Sequence, residues 1–96
     1  MRTIRYTNQF KRDYKREKSG KSYLYGKRLD DALMETVMLL AADTPLPASR
    51  HDHPLAGEWK DHRDCHVRPD LVLIYRKPDA DNLDLVRLGS HSELGL

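Results

Sequence analysis

The hydrophobic positions in the first part of the chain predict a short strand followed by a helix. The segment RTIRYT alternates apolar and polar residues, as a half-buried strand does. Thr7 or Asn8 can cap a helix that continues to about Lys18. Phe10 and Tyr14 are one helical turn apart, so both are expected on the buried side of that helix.

A second, longer helix is predicted over residues 27–43, KRLDDALMETVMLLAAD. It carries an apolar stripe of Leu29, Leu33, Val37 and Leu40, with Ala32, Thr36 and Leu39 beside it. We interpret Met34 and Met38 as further core-filling residues, and Pro45 and Pro47 end the helix. The SGKS segment at 19–22 resembles part of a phosphate-binding loop but lacks the earlier glycine and the preceding strand. We therefore interpret it as a turn.

Beyond residue 50 the apolar period changes from helical to strand-like. Strands are predicted over residues 63–67, 71–77 and 82–89, separated by short turns at 68–70 and 78–81. The middle strand, LVLIYRK, is apolar on both faces and is therefore expected at the centre of the sheet. One strand, two helices and an antiparallel β-meander predict a compact α+β domain with the helices packed on one face of the sheet.

Length and composition narrow the class of protein. The 96 residues, of which 39% are hydrophobic and 33% charged, fit a single domain spanning 1–96 with one small core. No apolar run reaches the roughly 20 residues that a membrane helix needs. The segment MRTIRYTNQF has no apolar stretch typical of a secretory signal. We therefore expect a cytoplasmic protein with no membrane partner, and the single cysteine, Cys65, excludes an internal disulfide.

The charges are unevenly distributed along the chain. Residues 1–28 contain ten basic side chains and only two acidic ones, whereas the remaining residues carry a net charge of −6. A basic segment of this density predicts contact with a polyanion such as nucleic acid. A solvent-exposed helix face would explain the same charges equally well, and an acidic protein partner could use the same surface.

Alternation along the predicted strands selects candidate active-site residues. Asp64 and His66 point to the same face of their strand. On the last strand, Arg87 follows the alternation of Leu85, and His91 continues it if the strand persists. The meander can therefore bring together His66, Arg87 and His91, with His53 approaching from the preceding loop.

A metal site and a thiol nucleophile are two alternatives for this region. His62 and His66 have a spacing that suits chelation on a helix, but on a strand they lie about 13 Å apart. His51 and His53 belong to a loop without a paired ligand motif. Cys65 alternates away from His66, so we interpret it as a buried structural thiol. We therefore expect no metal and no cofactor.

The remaining alternative for this region is metal-free acid–base catalysis by histidines beside a fixed cation. Because the unperturbed pKa of histidine is about 6.5, one histidine can accept a proton and another can donate one at neutral pH. Cleavage of an RNA phosphodiester needs a base for the proton of the ribose 2′-hydroxyl and an acid for the leaving oxygen. An arginine stabilises the charge that grows on the phosphate. From the residues alone, the same histidines could simply be exposed surface residues.

Two ordered motifs resemble a known protein family. The segment DHPLAGEWKDHRDCHVRPDLVLIYR, followed by RLGSHSEL, is similar to the YafQ group of RelE/ParE-type bacterial toxins. The resemblance extends over nearly the whole chain, more loosely before residue 45. It implies a toxin of a type II toxin–antitoxin pair with a compact RelE-like fold that cleaves mRNA on the translating ribosome without a metal. Leu71 and Gly95 stand where members of this family can carry aromatic residues.

The resemblance also implies roles for individual residues. By position, the catalytic group is His53, Asp64, His66, Asp70, Arg87 and His91. We expect His91 to be the general acid and Arg87 to be the cation that faces the phosphate. Either His53 or His66, steered by Asp70, is the general base, and Asp64 orients its neighbours. Contacts with ribosomal RNA are expected from Lys11, Arg12, Lys15, Arg16, Lys60 and Arg63.

The implied partners are a cognate antitoxin, the ribosome and mRNA, with operator DNA bound only through the antitoxin complex. The main alternative is a non-catalytic ParE-like toxin that binds a protein target such as DNA gyrase. ParE-type chains lack the histidine set, which argues against it. A DNA-binding module is a third hypothesis, prompted by the basic segment, but no helix-turn-helix or ribbon signature accompanies that segment.

Overall fold

Side-chain caps fix where the two long helices begin. In the computed structural model, which describes residues 1–96, α1 spans Asn8–Lys18 and α2 spans Tyr23–Ala41. The Thr7 hydroxyl accepts a hydrogen bond from the amide of Phe10, and the Ser22 hydroxyl accepts one from the amide of Tyr25. Because Ser22 caps α2, this helix begins at Tyr23 rather than at residue 27, and the SGKS segment contains the turn between the helices, as predicted.

Five strands form one sheet in the order β1-β5-β4-β3-β2. Their bounds are β1 Thr3–Tyr6, β2 His53–Pro54, β3 Arg63–Arg68, β4 Leu71–Arg76 and β5 Asn82–Gly89. β1 runs parallel to β5, and all other neighbours are antiparallel. A short helix, α3, spans His91–Leu94, and 3₁₀ turns at Ala48–Arg50 and Gly57–Trp59 flank β2. The predicted α+β class and β-meander are confirmed.

The main core lies between the sheet and helices α1 and α2. It contains Phe10 of α1, the predicted stripe of α2, and sheet residues that include Cys65, Leu73, Tyr75, Leu83, Leu85 and Leu88. The interpretation of Met34 and Met38 as core residues is wrong, since their side chains are 59% and 40% exposed. Each follows a stripe residue directly, and one step along a helix rotates a side chain by about 100° away from the buried stripe.

The opposite face of the sheet is covered only in part. A smaller cluster of Val72, Ile74 and Leu94 lies there, with Leu55, Trp59 and Val86 packed against it. The two long helices pack on the other side of the sheet, so part of this face stays exposed to solvent. No helix of the chain combines the length and apolarity that crossing a membrane would require.

Candidate active site

Two rows of residues cross the sheet face that the long helices leave open. In the first row His53 pairs with Asp64, Asp64 with Ile74, and Ile74 with Arg87. In the second row His66 pairs with Val72, and Val72 with Gly89. Directly paired residues on neighbouring strands share a face. The sheet register therefore places His53, Asp64, His66 and Arg87 on one surface, and His91 follows shortly after Gly89.

A β-bulge in β5 puts Arg87 on this surface. The register between β4 and β5 shifts by one residue, which makes Val86 the extra residue. Beyond the bulge, Leu88 rather than Arg87 continues the helix-side alternation of Leu85. The predicted parity of Arg87 with Leu85 is therefore wrong. The bulge itself brings Arg87 to the face of His66.

His53 lies against the buried carboxylate of Asp64. Its Nδ1 is 2.8 Å from the carbonyl oxygen of His51 and 3.0 Å from Oδ1 of Asp64. The aligned hydrogen bond goes to the His51 carbonyl, and the contact with Asp64 is electrostatic, because Oδ1 of Asp64 has no aligned donor. Both neighbours of Nδ1 are acceptors, so Nδ1 carries the proton and Nε2 of the neutral ring keeps its lone pair.

Asp64 is a carboxyl group held out of water. Its residue is 1% exposed, and this burial raises the pKa of Asp64, while the charges of His53 and His91 act in the opposite direction. Removing a carboxylate from water without full hydrogen bonding disfavours its charged form. Asp64 is therefore poised to gain from a positive charge on His53.

An arginine anchors the segment that leads through His51 to His53 at the start of β2. Nη1 of Arg50 donates to Oγ1 of Thr36 in α2 at 2.6 Å, and to the carbonyls of His66 and Val67 in β3 at 3.4 and 3.3 Å. His51 follows with a left-handed backbone, φ 50°. Arg50 thus binds both α2 and β3 immediately before His51 in the chain.

Three imidazole rings form a row beside the His53–Asp64 pair. The ring centroid of His66 lies 5.0 Å from that of His51 and 5.2 Å from that of His91. Burial, and then the nearby charges of His51 and His91, lower the pKa of His66 below 6.5, so its neutral form is favoured at neutral pH. His51 lies outside the catalytic group predicted from the sequence, although it opens the HDHP segment that contains His53.

The Arg87 guanidinium is held by a residue of α1. Its Nε donates to Oδ2 of Asp13 at 2.7 Å, and its Nη2 donates to Oδ1 of Asp13 at 3.3 Å. Sequence reasoning missed Asp13. A signal was present, because Asp13 follows Phe10 by three positions and so lies on the buried side of an otherwise basic helix.

Asp70 and Cys65 are not part of this cluster. Asp70 is exposed in the turn between β3 and β4 and makes no side-chain hydrogen bond or ion pair, so the carboxylate in contact with a histidine is Asp64. Cys65 is fully buried on the helix side, and burial raises the pKa of its thiol to about 12. Its interpretation as a structural thiol is confirmed, because a thiol with that pKa is not ionised at neutral pH.

The two positions that depart from the family pattern have structural roles here. Leu71 is 3% exposed and packs in the core beneath the helices, so it offers no surface on which a base could stack. Gly95 ends α3 with a left-handed backbone, φ 71°, a conformation that glycine adopts without steric cost.

The six cations expected to contact RNA fall into two groups. Lys11, Arg12 and Lys15 of α1, together with Lys60, are exposed and have no ion pair. Arg63 is paired with Asp52 at 3.2 Å. Arg16 forms the most ion pairs of the six, with Asp13, Glu17 and Glu93.

The side chains of this face suit proton transfer. No group of three or more His, Cys, Asp or Glu side chains is arranged to hold a metal ion. The imidazole rings can accept or donate a proton, and the Asp64 carboxylate supports a positive charge on His53. The oriented guanidinium of Arg87 can stabilise a phosphate anion.

Fold and site together define a class of protein, the toxins of type II toxin–antitoxin systems. The profile of one family, described as a bacterial toxin of type II toxin–antitoxin system, YafQ, matches residues 2–95. The chain belongs to this YafQ family, which confirms the resemblance found in the sequence.

Individual relatives agree with this assignment. The mRNA interferase toxin YafQ of Escherichia coli is 42% identical over 96 residues, which cover 97% of this chain and 95% of that protein. The crystal structure of the E. coli DinJ–YafQ complex is similar with a TM-score of 0.79, at 36% identity and 98% coverage of both chains. A metal-bound toxin from Helicobacter pylori has a TM-score of 0.79 at 43% identity, covering 98% of this chain and 99% of that one.

Proposed function

We propose that this protein is an endoribonuclease that cleaves mRNA on the translating ribosome by metal-free acid–base catalysis. The observation that carries the proposal is the His53–Asp64 pair beside the rings of His66 and His91 on one open sheet face. The E. coli relative named mRNA interferase toxin YafQ supports the substrate class.

His53 is the general base in this mechanism. Its Nε2 carries the lone pair, because Nδ1 is protonated between the His51 carbonyl and Asp64. When Nε2 takes the proton of the ribose 2′-hydroxyl, the ring becomes positively charged 3.0 Å from the Asp64 carboxylate. Asp64 stabilises that charge, in the way that a buried carboxylate supports a catalytic histidine in other enzymes.

The other polar groups of the face complete the reaction. The 2′-oxygen attacks the adjacent phosphorus, and Arg87 stabilises the negative charge that develops on the phosphate oxygens. His91 protonates the 5′-oxygen of the departing nucleotide, so that the chain is cut between two nucleotides. The ring of His66 lies between those of His51 and His91, and its lowered pKa keeps it neutral there.

The partners follow from the family and from the exposed charges. A cognate antitoxin neutralises the toxin, as the DinJ–YafQ complex of E. coli suggests for its own chains. The unpaired cations of α1, Lys11, Arg12 and Lys15, bind ribosomal RNA. Operator DNA is bound only through the antitoxin complex, and the protein acts in the cytoplasm.

Expression without an antitoxin tests the proposal. The wild-type chain should stop growth and leave mRNA cuts in register with the reading frame. Because general acids and bases contribute roughly 10²–10⁴-fold, His53→Gln and His91→Gln should each slow cleavage by about that factor. His62→Gln is the matched control, since its ring packs on Trp59 at 5.4 Å, outside the cluster.

Two results would overturn the proposal. Full cleavage by His53→Gln and His91→Gln would exclude the mechanism. Inhibition of DNA gyrase by the purified chain, with no mRNA cleavage on programmed ribosomes, would establish the ParE-like alternative instead.

A further inference from the structure

We propose that Asp13 is a positioning residue that holds Arg87 directly and, through Arg16 and Glu93, holds the helix start that carries His91. Asp13 lies in α1, outside the histidine cluster, and has no place in the acid–base chemistry itself. This role rests on the proposed function, because it concerns the alignment of the phosphate-facing cation and the general acid.

Each carboxylate oxygen of Asp13 accepts two hydrogen bonds. Its residue is 4% exposed. Oδ2 accepts from Nε of Arg87 at 2.7 Å and from the amide of Leu88 at 3.0 Å. Oδ1 accepts from Nη1 of Arg16 at 2.8 Å and from Nη2 of Arg87 at 3.3 Å. A two-point contact with a carboxylate fixes both the position and the plane of a guanidinium.

These donors also keep Asp13 charged. Burial alone would raise the pKa of Asp13, but the hydrogen bonds from Arg87 and from the amide of Leu88 bring it below its ordinary value. The carboxylate therefore stays ionised at neutral pH and continues to hold Arg87. Removing its charge would leave the guanidinium without the anion that orients it.

The second step runs from Arg16 to the general acid. Nη2 of Arg16 donates to the carbonyl of Leu88 at 2.8 Å, and Nε lies 3.3 Å from Oε2 of Glu93. Glu93 in turn accepts from the amide of Ser90 at 2.9 Å, while its own amide donates to the Ser90 hydroxyl at 3.1 Å. This capping box starts α3 at His91, so the orientation of α3 is tied to α1 by Arg16.

Gly89 supplies an independent sign that this arrangement is built into the fold. A Cβ at Gly89 would lie 3.0 Å from Nη2 of Arg16 and 3.3 Å from both Oε1 of Glu93 and Cδ2 of Leu94. Its backbone is not in the left-handed region, so conformation does not demand glycine here. The missing side chain makes room for Arg16 and Glu93 at the end of β5.

The experiment compares Asp13→Asn with Asp30→Asn. Asp30 is the control, because its carboxylate in α2 likewise accepts hydrogen bonds from a neighbouring element, from Tyr14 at 2.5 Å and Lys18 at 2.9 Å in α1, but it touches neither Arg87 nor α3. A displacement of about 1 Å can cost about 100-fold in rate. With saturating mRNA-programmed ribosomes, Asp13→Asn should therefore slow single-turnover cleavage about 10- to 100-fold at unchanged ribosome Kd, and Asp30→Asn should leave both unchanged.

A second measurement decides the point without relying on cleavage. NMR spectra of the free, folded proteins should show shifted ring signals for His91 and a mobile Arg87 Nε–H in Asp13→Asn, and neither change in Asp30→Asn. If the wild-type chain fails to cut mRNA, the proposed function fails, and these spectra still test Asp13. Arg16→Met removes the ion pair with Glu93 but keeps the aliphatic part of the side chain, and it should shift the His91 signals as well. This variant tests the proposal if Asp13→Asn does not fold.

Either of two results would overturn this role. If Asp13 only neutralised positive charge, its removal would tighten ribosome binding and leave the cleavage rate equal or faster. Unchanged His91 signals in both Asp13→Asn and Arg16→Met would show that α1 does not position the acid.

Discussion

The imidazole of His53 and the carboxylate of Asp64 lie 3.0 Å apart, and this contact, which the proposed mechanism uses, has a cost to folding. A buried carboxylate with a raised pKa opposes folding wherever it must be ionised. The same charge is what supports a protonated His53. A neutral residue at position 64 would therefore favour folding, whereas the proposed chemistry needs the Asp64 carboxylate.

Asp64→Asn should accordingly raise stability at neutral pH while slowing cleavage. Since the pKa of Asp64 is raised in the folded state, stability is lost as the pH rises above 3.8, the ordinary value, and through the folded pKa. The amide removes this loss. Thermal unfolding should give a higher Tm for the variant at pH 7 and the same Tm for both proteins once the pH is well below 3.8.

Asp70→Asn provides the comparison for this measurement. Asp70 is exposed and makes no side-chain hydrogen bond or ion pair, so its variant should have the Tm of the wild type at pH 7. A Tm of Asp64→Asn below the wild-type value at pH 7 would contradict the stability prediction.

His51 should control the protonation of His66. The charge of His51 is the largest cause, after burial, of the lowered pKa of His66, and the two rings are 5.0 Å apart. His51→Gln removes that repulsion, so the pKa of His66 should rise toward 6.5. An NMR titration of the His66 ring measures it, with His62→Gln as the control that should change nothing.

The same lowered pKa makes stability depend on pH in the acid range. In the unfolded chain His66 protonates near its ordinary value of 6.5, before the folded state does, so stability should fall as the pH drops below 6.5 and through the folded pKa. His66→Gln should flatten this part of the stability curve. An equally steep loss of Tm in wild type and variant would exclude His66 as its source.

Reversing the three unpaired cations of α1 should weaken ribosome binding without unfolding the protein. Lys11, Arg12 and Lys15 form no ion pairs, whereas Arg16 is bonded to Asp13 and Leu88 and is left intact. Each lost phosphate contact lowers the salt slope of binding by about 1. The triple change to glutamate should therefore lower the slope by about 3 at an unchanged Tm, and an unchanged slope across a salt series would remove α1 from the interface.

Stripping metal from the toxin should leave its activity intact. The purified protein is treated with a chelator, the chelator is removed, and cleavage is assayed on ribosomes in their usual magnesium buffer. Added Cu²⁺ should inhibit, because a metal bound to the ring of His53 takes the lone pair that acts as the base in the proposed mechanism. Activity that is lost on stripping and restored by a transition metal would contradict metal-free catalysis.

The elements of this fold were predictable because periodicity is local. The strand and helix patterns around Phe10, Leu33 and Leu73 each depend on residues a few positions apart, and the structure has the corresponding elements. The start of α2 was placed too late because Ser22, the cap, precedes the apolar stripe. The parallel pairing of β1 with β5 leaves no local trace at all.

The site was predictable only as far as alternation holds. Asp64 and His66 share a face because β3 is regular between them. Nothing in the residues around Val86 marks it as the extra residue of a bulge, so the face of Arg87 was inferred from the wrong parity. The contacts of Asp13 with Arg87 and of His51 with His66 join distant segments, and no spacing within either segment indicates them.

The parallel pairing of β1 with β5 also sets an order of assembly during synthesis. Arg5 in β1 bonds Asp84 in β5, 79 positions further along the chain, and contacts this remote in sequence form late and slowly. A nascent chain that has made only β1 and the two long helices has an unpaired first strand and neither Arg87 nor His91. The proposed site is therefore incomplete until β5 and the start of α3 have left the ribosome.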